Sequence, residues 1–185
     1  MGADATLRTK TYDTNTTTTV SFTDLVGNTN STGILITRID TNKPTVLNVN
    51  YNPSTPTSGD VEVTITIDKL IQKPAGRSGN ITDTTFTKIY TADIQDDFTI
   101  MDLVGNTGAV NIFINRIDKT PPEATSLIYS PSTLTNQDVE VILTTNERVR
   151  KPAGRSGAAT GTVFTKIYTT NTTETVSFYD HVHNL

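Results

Sequence analysis

A single ungapped offset of 78 residues runs through the chain and constrains its fold more than any other feature. Asp24-Leu-Val-Gly-Asn-Thr29 returns as Asp102-Leu-Val-Gly-Asn-Thr107, and Lys73-Pro-Ala-Gly-Arg-Ser-Gly79 returns unchanged from Lys151 to Gly157. The segments Asp60-Val-Glu-Val63 and Lys88-Ile-Tyr90 recur at the same spacing. A fixed period of this length means a tandem array of one small unit, each unit marginal in core size and dependent on its neighbours. With the Ile-Asp joints at Asp40 and Asp118 as boundaries, residues 41–118 form one complete repeat, 1–40 the C-terminal half of a repeat, and 119–185 a repeat lacking its last strand.

The pattern inside the period is that of strands. Val61-Glu-Val-Thr-Ile-Thr-Ile67 alternates apolar and polar residues with period two, which puts Val61, Val63, Ile65 and Ile67 on one buried face. Val46 to Tyr51, Leu70-Ile71, Thr85 to Tyr90, Phe98 to Asp102 and Val110 to Asn115 read as further short strands, separated by turn-forming Pro, Gly and Asn. Position by position, Val20, Phe98 and Val176 agree, as do Phe22, Ile100 and Phe178, so these face inward. Six or seven short strands per repeat with no helical period predict an all-β protein built of β-sandwiches. Threonine at about one residue in five suits the outward strand positions. It makes no regular Thr-x-Thr rows of the kind an ice-binding face needs.

Composition narrows the function classes. A formal charge of −4 without a basic run argues against nucleic acid and against an acidic membrane surface as partners. No stretch is apolar enough to span a bilayer, and Met1-Gly2 followed by polar residues is not a signal peptide, so direct membrane insertion is not expected and any export signal or anchor is expected outside these residues. The absence of cysteine removes disulfides, thiolate metal sites and cysteine catalysis together. No nucleophile and base recur as a pair, and no Gly-rich phosphate loop follows a strand, so an enzyme is not expected.

The joint Ile117-Asp-Lys-Thr-Pro-Pro122, the segment Tyr129-Ser-Pro-Ser-Thr-Leu-Thr-Asn-Gln-Asp138, Phe164-Thr-Lys-Ile-Tyr168 and the Asp102-Leu-Val-Gly-Asn-Thr-Gly108 turn together resemble the bacterial immunoglobulin-like (Big-type) tandem repeats of large surface proteins. The resemblance covers essentially the whole chain. It implies immunoglobulin-like β-sandwich repeats of 78 residues strung into an extracellular stalk, adhesin or fibre on a bacterial cell surface, and it is weak about any ligand. Asp180-His-Val-His-Asn184 departs from the pattern, with histidines where the other copies have leucine and glycine.

Two candidate sites follow. In such a sandwich the turn before the last strand and the loop after the second strand lie where the preceding unit enters. Asp102 and Asn106 are therefore expected to face Asp40, with Asp68 nearby, and Asp118, Asp180 and Asn184 to form the matching set with Asn146 or Glu147. Converging oxygen ligands suit calcium; the alternative is that Asp102 and Asn106 simply shape a hairpin turn through side-chain to backbone bonds. Lys88 and Lys166 share the inward parity of Phe86 and Tyr90, and of Phe164 and Tyr168, and require a partner. Asp102 is the candidate, as an ion pair or as an isopeptide cross-link; a lysine stem that packs while its ammonium reaches water is the alternative. His181 and His183 make half of a zinc site without a third ligand nearby. The sequons at Asn15, Asn30, Asn80 and Asn171 mark exposed positions of a threonine-rich chain.

No cofactor is required by this reading. The expected partners are neighbouring repeats or other copies of the chain. An adhesive module recognising a host protein or glycan through the loops at 74–84 and 152–161 is the competing function. The uncovered edge of 119–185 and the spare final strand of 1–40 further suggest head-to-tail assembly by strand complementation, although the equivalents of roughly 79–107 would then be present twice.

Overall fold

A computed structural model of the chain describes residues 8–184. Among them are ten strands and no helix. Strands β1 (Thr16–Thr23) and β2 (Thr29–Ile36) form a hairpin. Strands β3 (Val46–Asn52), β4 (Val61–Gln72) and β5 (Thr82–Tyr90) form an antiparallel sheet with β4 in the middle, and β6 (Ile94–Met101) pairs with β7 (Thr107–Ile114). Strands β8 (Ala124–Ser130), β9 (Val139–Arg150) and β10 (Thr160–Tyr168) form a second three-stranded sheet with β9 in the middle. Each of β6 to β10 starts and stops 78 residues after its counterpart among β1 to β5.

The alternation in the sequence becomes the core of residues 41–118. Val61, Val63, Ile65 and Ile67 of β4 are at most 2% exposed, and they meet Phe86 and Tyr90 of β5, Ile100 of β6, and Val110, Ile112 and Ile114 of β7. The three-stranded and two-stranded sheets thus bury one face each against the other, as a β-sandwich does. Residues 41–118 hold five strands rather than six or seven. Leu70-Ile71 is not separate but ends the 12-residue β4, whose pairing with β5 is interrupted by an irregularity between Thr66 and Ile71. The parity survives that break: Ile71 is buried, and Lys69 between Ile67 and Ile71 is half-buried on the inward side.

The conserved-looking Lys-Pro-Ala-Gly-Arg-Ser-Gly segments are core-forming. Gly79 has φ +137°, and a Cβ there would stand 2.8 Å from the Phe86 ring, so only glycine lets this loop close over the core. The loop turns Arg77 inward, with its guanidinium stacked 3.7 Å from the Phe98 ring centre and bonded to Tyr90 Oη and Asp96.

The flanking segments bury less. The β1–β2 hairpin has no second sheet, and Val20 and Phe22 stand 40% and 53% exposed although their counterparts Phe98 and Ile100 are packed. In residues 119–184 Leu143, Val149 and Phe164 are buried, but the described residues hold no counterpart of β6 or β7 as a strand. Tyr129, counterpart of the core-packed Tyr51, is 53% exposed.

Candidate functional site

The site is the pair of joints at Asp40 and Asp118, and the same turn builds both. Asp102 Oδ1 accepts the backbone N–H groups of Val104 (3.0 Å) and Asn106 (2.8 Å), while Asn106 Nδ2 donates to Asp102 Oδ2 (2.9 Å). Asp24 with Asn28 and Asp180 with Asn184 make the same set of bonds. The Asp-x-x-x-Asn motif is therefore first a turn, one that converts an aspartate into an acceptor for its own loop. The turn's left-handed position is Gly27 and Gly105 in two copies and His183, at φ 72°, in the third. There the His183 ring stacks on Tyr179 at 5.7 Å, and it belongs to no group of three or more metal-ligating side chains among the described residues.

The asparagine then reaches the linker. Asn106 Nδ2 donates to the Asp40 carbonyl (2.9 Å), and Asn184 Nδ2 donates to the Asp118 carbonyl (2.8 Å). One residue type thus closes the turn and ties the incoming chain to it. The second joint is also held from the other side. Thr57 N–H donates to the Arg116 carbonyl, Asp118 N–H to the Thr57 carbonyl, Lys119 pairs with Asp60 at 2.6 Å, and Ser58 Oγ donates to the Val182 carbonyl at 3.0 Å.

Asp40, Asp102 and Asn106 do come together, but around a lysine. Lys69 Nζ lies 3.0 Å from Asp40 Oδ2, 3.5 Å from Asp102 Oδ2 and 2.6 Å from the Asn42 carbonyl. An ammonium occupies the place expected for a cation. Asp68, expected nearby, points away: its carboxylate accepts the N–H and hydroxyl of Thr45 and caps the start of β3, because strand alternation sends neighbours 68 and 69 to opposite faces. Asn146 does the same work for Glu123.

Burial acts to raise the Asp102 pKa, but the Asn106 side chain, the Asn106 and Val104 N–H groups and Lys69 outweigh it and hold the carboxyl below its ordinary range. Asp40 is lowered by the Asn42 N–H and by Lys69, and Lys69 is raised chiefly by its bond to Asp40.

At the second joint the residue 78 positions after Lys69 is Glu147. Asp118, Glu147 and Asp180 each bring a carboxylate oxygen within 4.8 Å of the others, with Asp180 fully buried. Burial and the charges of Asp118 and Asp180 push the Glu147 carboxyl above its usual range, opposed by His181. A one-residue change of sign converts a joint closed by its own lysine into one with three converging acids.

The lysines considered for cross-linking have a different partner from the one expected. Lys88 Nζ is 2.8 Å from Asp96, not Asp102, and Lys166 is 2.9 Å from Glu174. Asp96 sits on the inward parity of β6 beside Phe98, within reach of β5, whereas Asp102 lies past the end of that strand at the joint. Asp96 also accepts from Arg77 (3.0 Å) and from Tyr90 Oη (2.5 Å). Burial raises its pKa, and Lys88, Tyr90 and Arg77 together overcome that and lower it. Glu174 is lowered by the Tyr168 hydroxyl and Lys166. Arg155, in contrast to Arg77, keeps Nε and Nη1 without partners, and Val176 replaces the phenylalanine that stacks on Arg77.

Sequence reading missed Lys69, Arg77 and Asp96. The signal for each was parity: Lys69 continues the odd-numbered inward row of β4, and Asp96 the even-numbered row of β6. No protein-family model matches the chain, and no match is found among curated proteins or solved structures.

Proposed function

We propose that the chain is a structural segment of an extracellular bacterial surface stalk, adhesin or fibre, made of immunoglobulin-like β-sandwich repeats of 78 residues with units at 1–40, 41–118 and 119–185. The observation that carries this reading is the joint. At both joints the Asp-x-x-x-Asn turn binds the linker carbonyl, and at the second the preceding unit bonds the linker and the following turn as well. Repeats fixed to each other by their linkers suit a spacer that sets distance and direction. The loops an adhesive module would vary, at 74–84 and 152–161, instead begin with one shared segment that places a buried arginine in each core. Antibodies raised against the chain are expected to label intact source cells, and the purified chain is expected to bind no member of a broad panel of host proteins and glycans. Labelling only after permeabilisation removes the surface reading; saturable binding to one panel member favours the adhesive alternative.

A second reading rests on the Lys69 to Glu147 exchange. We infer that the Asp118–Glu147–Asp180 joint takes a hard divalent cation, calcium by ligand type, in the position where Lys69 supplies its own charge at the first joint. Three carboxylates without a full oxygen cage suit the weak class of site, with Kd on the order of 0.1–1 mM. At tenfold excess over Kd such binding stabilises by about 1.4 kcal/mol. Calcium is expected to raise the unfolding temperature of the parent chain and not of Glu147→Lys, while Asp40→Asn at the lysine-filled joint keeps the response. A parent chain indifferent to calcium ends this reading without touching the first.

A further inference from the structure

Residues 119–184 carry an open groove beside the β8–β9–β10 sheet, lined by Leu127, Tyr129, Val141, Arg155, Tyr168 and Val176. Their counterparts in 41–118 include Val49, Tyr51 and Val63, which belong to or pack on a core that β7 completes with Val110, Ile112 and Ile114, at 4%, 0% and 1% exposure. The groove is thus the seat of a β7-type strand. Arg155 adds a polar sign of incompleteness, with a side chain 3% exposed and two nitrogens lacking partners.

The chain holds one such strand without a seat. In β2, Thr32, Ile34 and Ile36 stand 78 residues before Val110, Ile112 and Ile114, and β1 pairs Thr16 with Ile36 as β6 pairs Ile94 with Ile114. No second sheet covers that hairpin, and Phe22 on the same face is 53% exposed.

We propose that two copies of this chain associate head to tail, β2 of one copy adding as a strand to the groove of the other and seating Ile34 and Ile36 where Ile112 and Ile114 sit in the complete unit. This rests on reading the segments as copies of one fold. The contact is heterologous, because donor and acceptor lie in different segments, so it propagates into chains rather than closing as a pair. The hairpin can dock whole, with β1 outside β2 on the edge that β7 leaves largely unpaired.

The geometry also limits the register. At Gly108 an added Cβ would meet the Pro44 carbonyl oxygen at 2.2 Å, and the donor's counterpart of Gly108 is Asn30, which would face Pro122. Pairing is therefore confined to about Ser31–Ile36, with the turn end of the hairpin lifted away. That clash yields a test a merely sticky surface would not pass.

Sedimentation velocity over a concentration series of the 185-residue chain is expected to reveal reversible head-to-tail oligomers. Ile34→Asp should weaken association roughly tenfold or more. Asn30→Gly should strengthen it by removing the clash. Appending a copy of residues 108–116 after Leu185, in phase with the period, should fill the groove in cis and abolish association, and this variant mixed with Ile34→Asp should stay monomeric only if no second contact exists. A monomer at every concentration overturns the proposal and leaves the stalk reading intact. Association that survives the cis strand, or is indifferent to Asn30→Gly, overturns it equally. Ile34 and Asn30 lie on a hairpin outside the core of 41–118, and circular dichroism of each variant separates lost association from lost folding.

Discussion

Replacing Glu147 by lysine should make the second joint a copy of the first and stabilise the protein in the absence of any metal. In the parent chain Glu147 stands within 4.8 Å of Asp118 and Asp180. Two unit charges at that distance interact by roughly 3.5 kcal/mol at an effective dielectric of about 20, and by less than about 1 kcal/mol in water. Glu147 and Asp118 are half-buried, which places the interaction between those limits. The substitution changes two repulsions into two attractions, of the kind Lys69 makes with Asp40 and Asp102. After discounting for solvent screening, desolvation of the ammonium and side-chain ordering, a net gain of about 1–2 kcal/mol remains. For a unit of this size that is a rise of about 4–16 °C in the unfolding temperature of residues 119–184. Calorimetry in chelator at low ionic strength measures it, and about 0.5 M salt should remove much of the gain. A variant no more stable than the parent refutes the electrostatic account of the joint. A gain that salt leaves untouched refutes it too, since it would then come from packing.

Three other outcomes follow from the structure. Ile112→Ala removes a fully buried side chain at the centre of the 41–118 core and should cost about 2–5 kcal/mol by denaturant titration, whereas the exposed Leu35→Ala should cost little. His183 occupies the left-handed position that is glycine in the other two turns, so His183→Gly should stabilise residues 119–184 by about 1 kcal/mol in the same titration, less whatever its stack on Tyr179 contributes. The pH dependence should have two limbs. Asp40, Asp96 and Asp102 have lowered pKa values, so their stabilisation is present above the ordinary 3.8 and is lost as pH falls through the lowered values. Glu147 is raised from 4.5, so the native state holds its proton more tightly, and stability declines as pH rises from 4.5 through the raised value. Glu147→Gln should abolish that second limb and leave the acid limb in place, as thermal unfolding from pH 2 to 8 would register; a second limb that persists rules out Glu147 as its source.

The 78-residue offset and the period-two rows within it were enough to determine an all-β chain, the buried face of β4 and the inward positions of β6 and β7. Those depend only on local alternation, which a sequence displays directly. The joints were located as well, because the same Asp-x-x-x-Asn spacing brackets each. What occupies them was not legible. Whether Lys69 or Asp68 faces Asp102 depends on β4 running unbroken past Thr66 to Gln72, and on Ile71 pairing with Asp102 across the sandwich, a contact between residues far apart in sequence. Asp96 as partner to Arg77, Tyr90 and Lys88 likewise exists only once a glycine-bearing loop folds over one sheet and brings its arginine to the other. Periodicity fixes which way a side chain points; only the assembled sheets decide which charge it meets there.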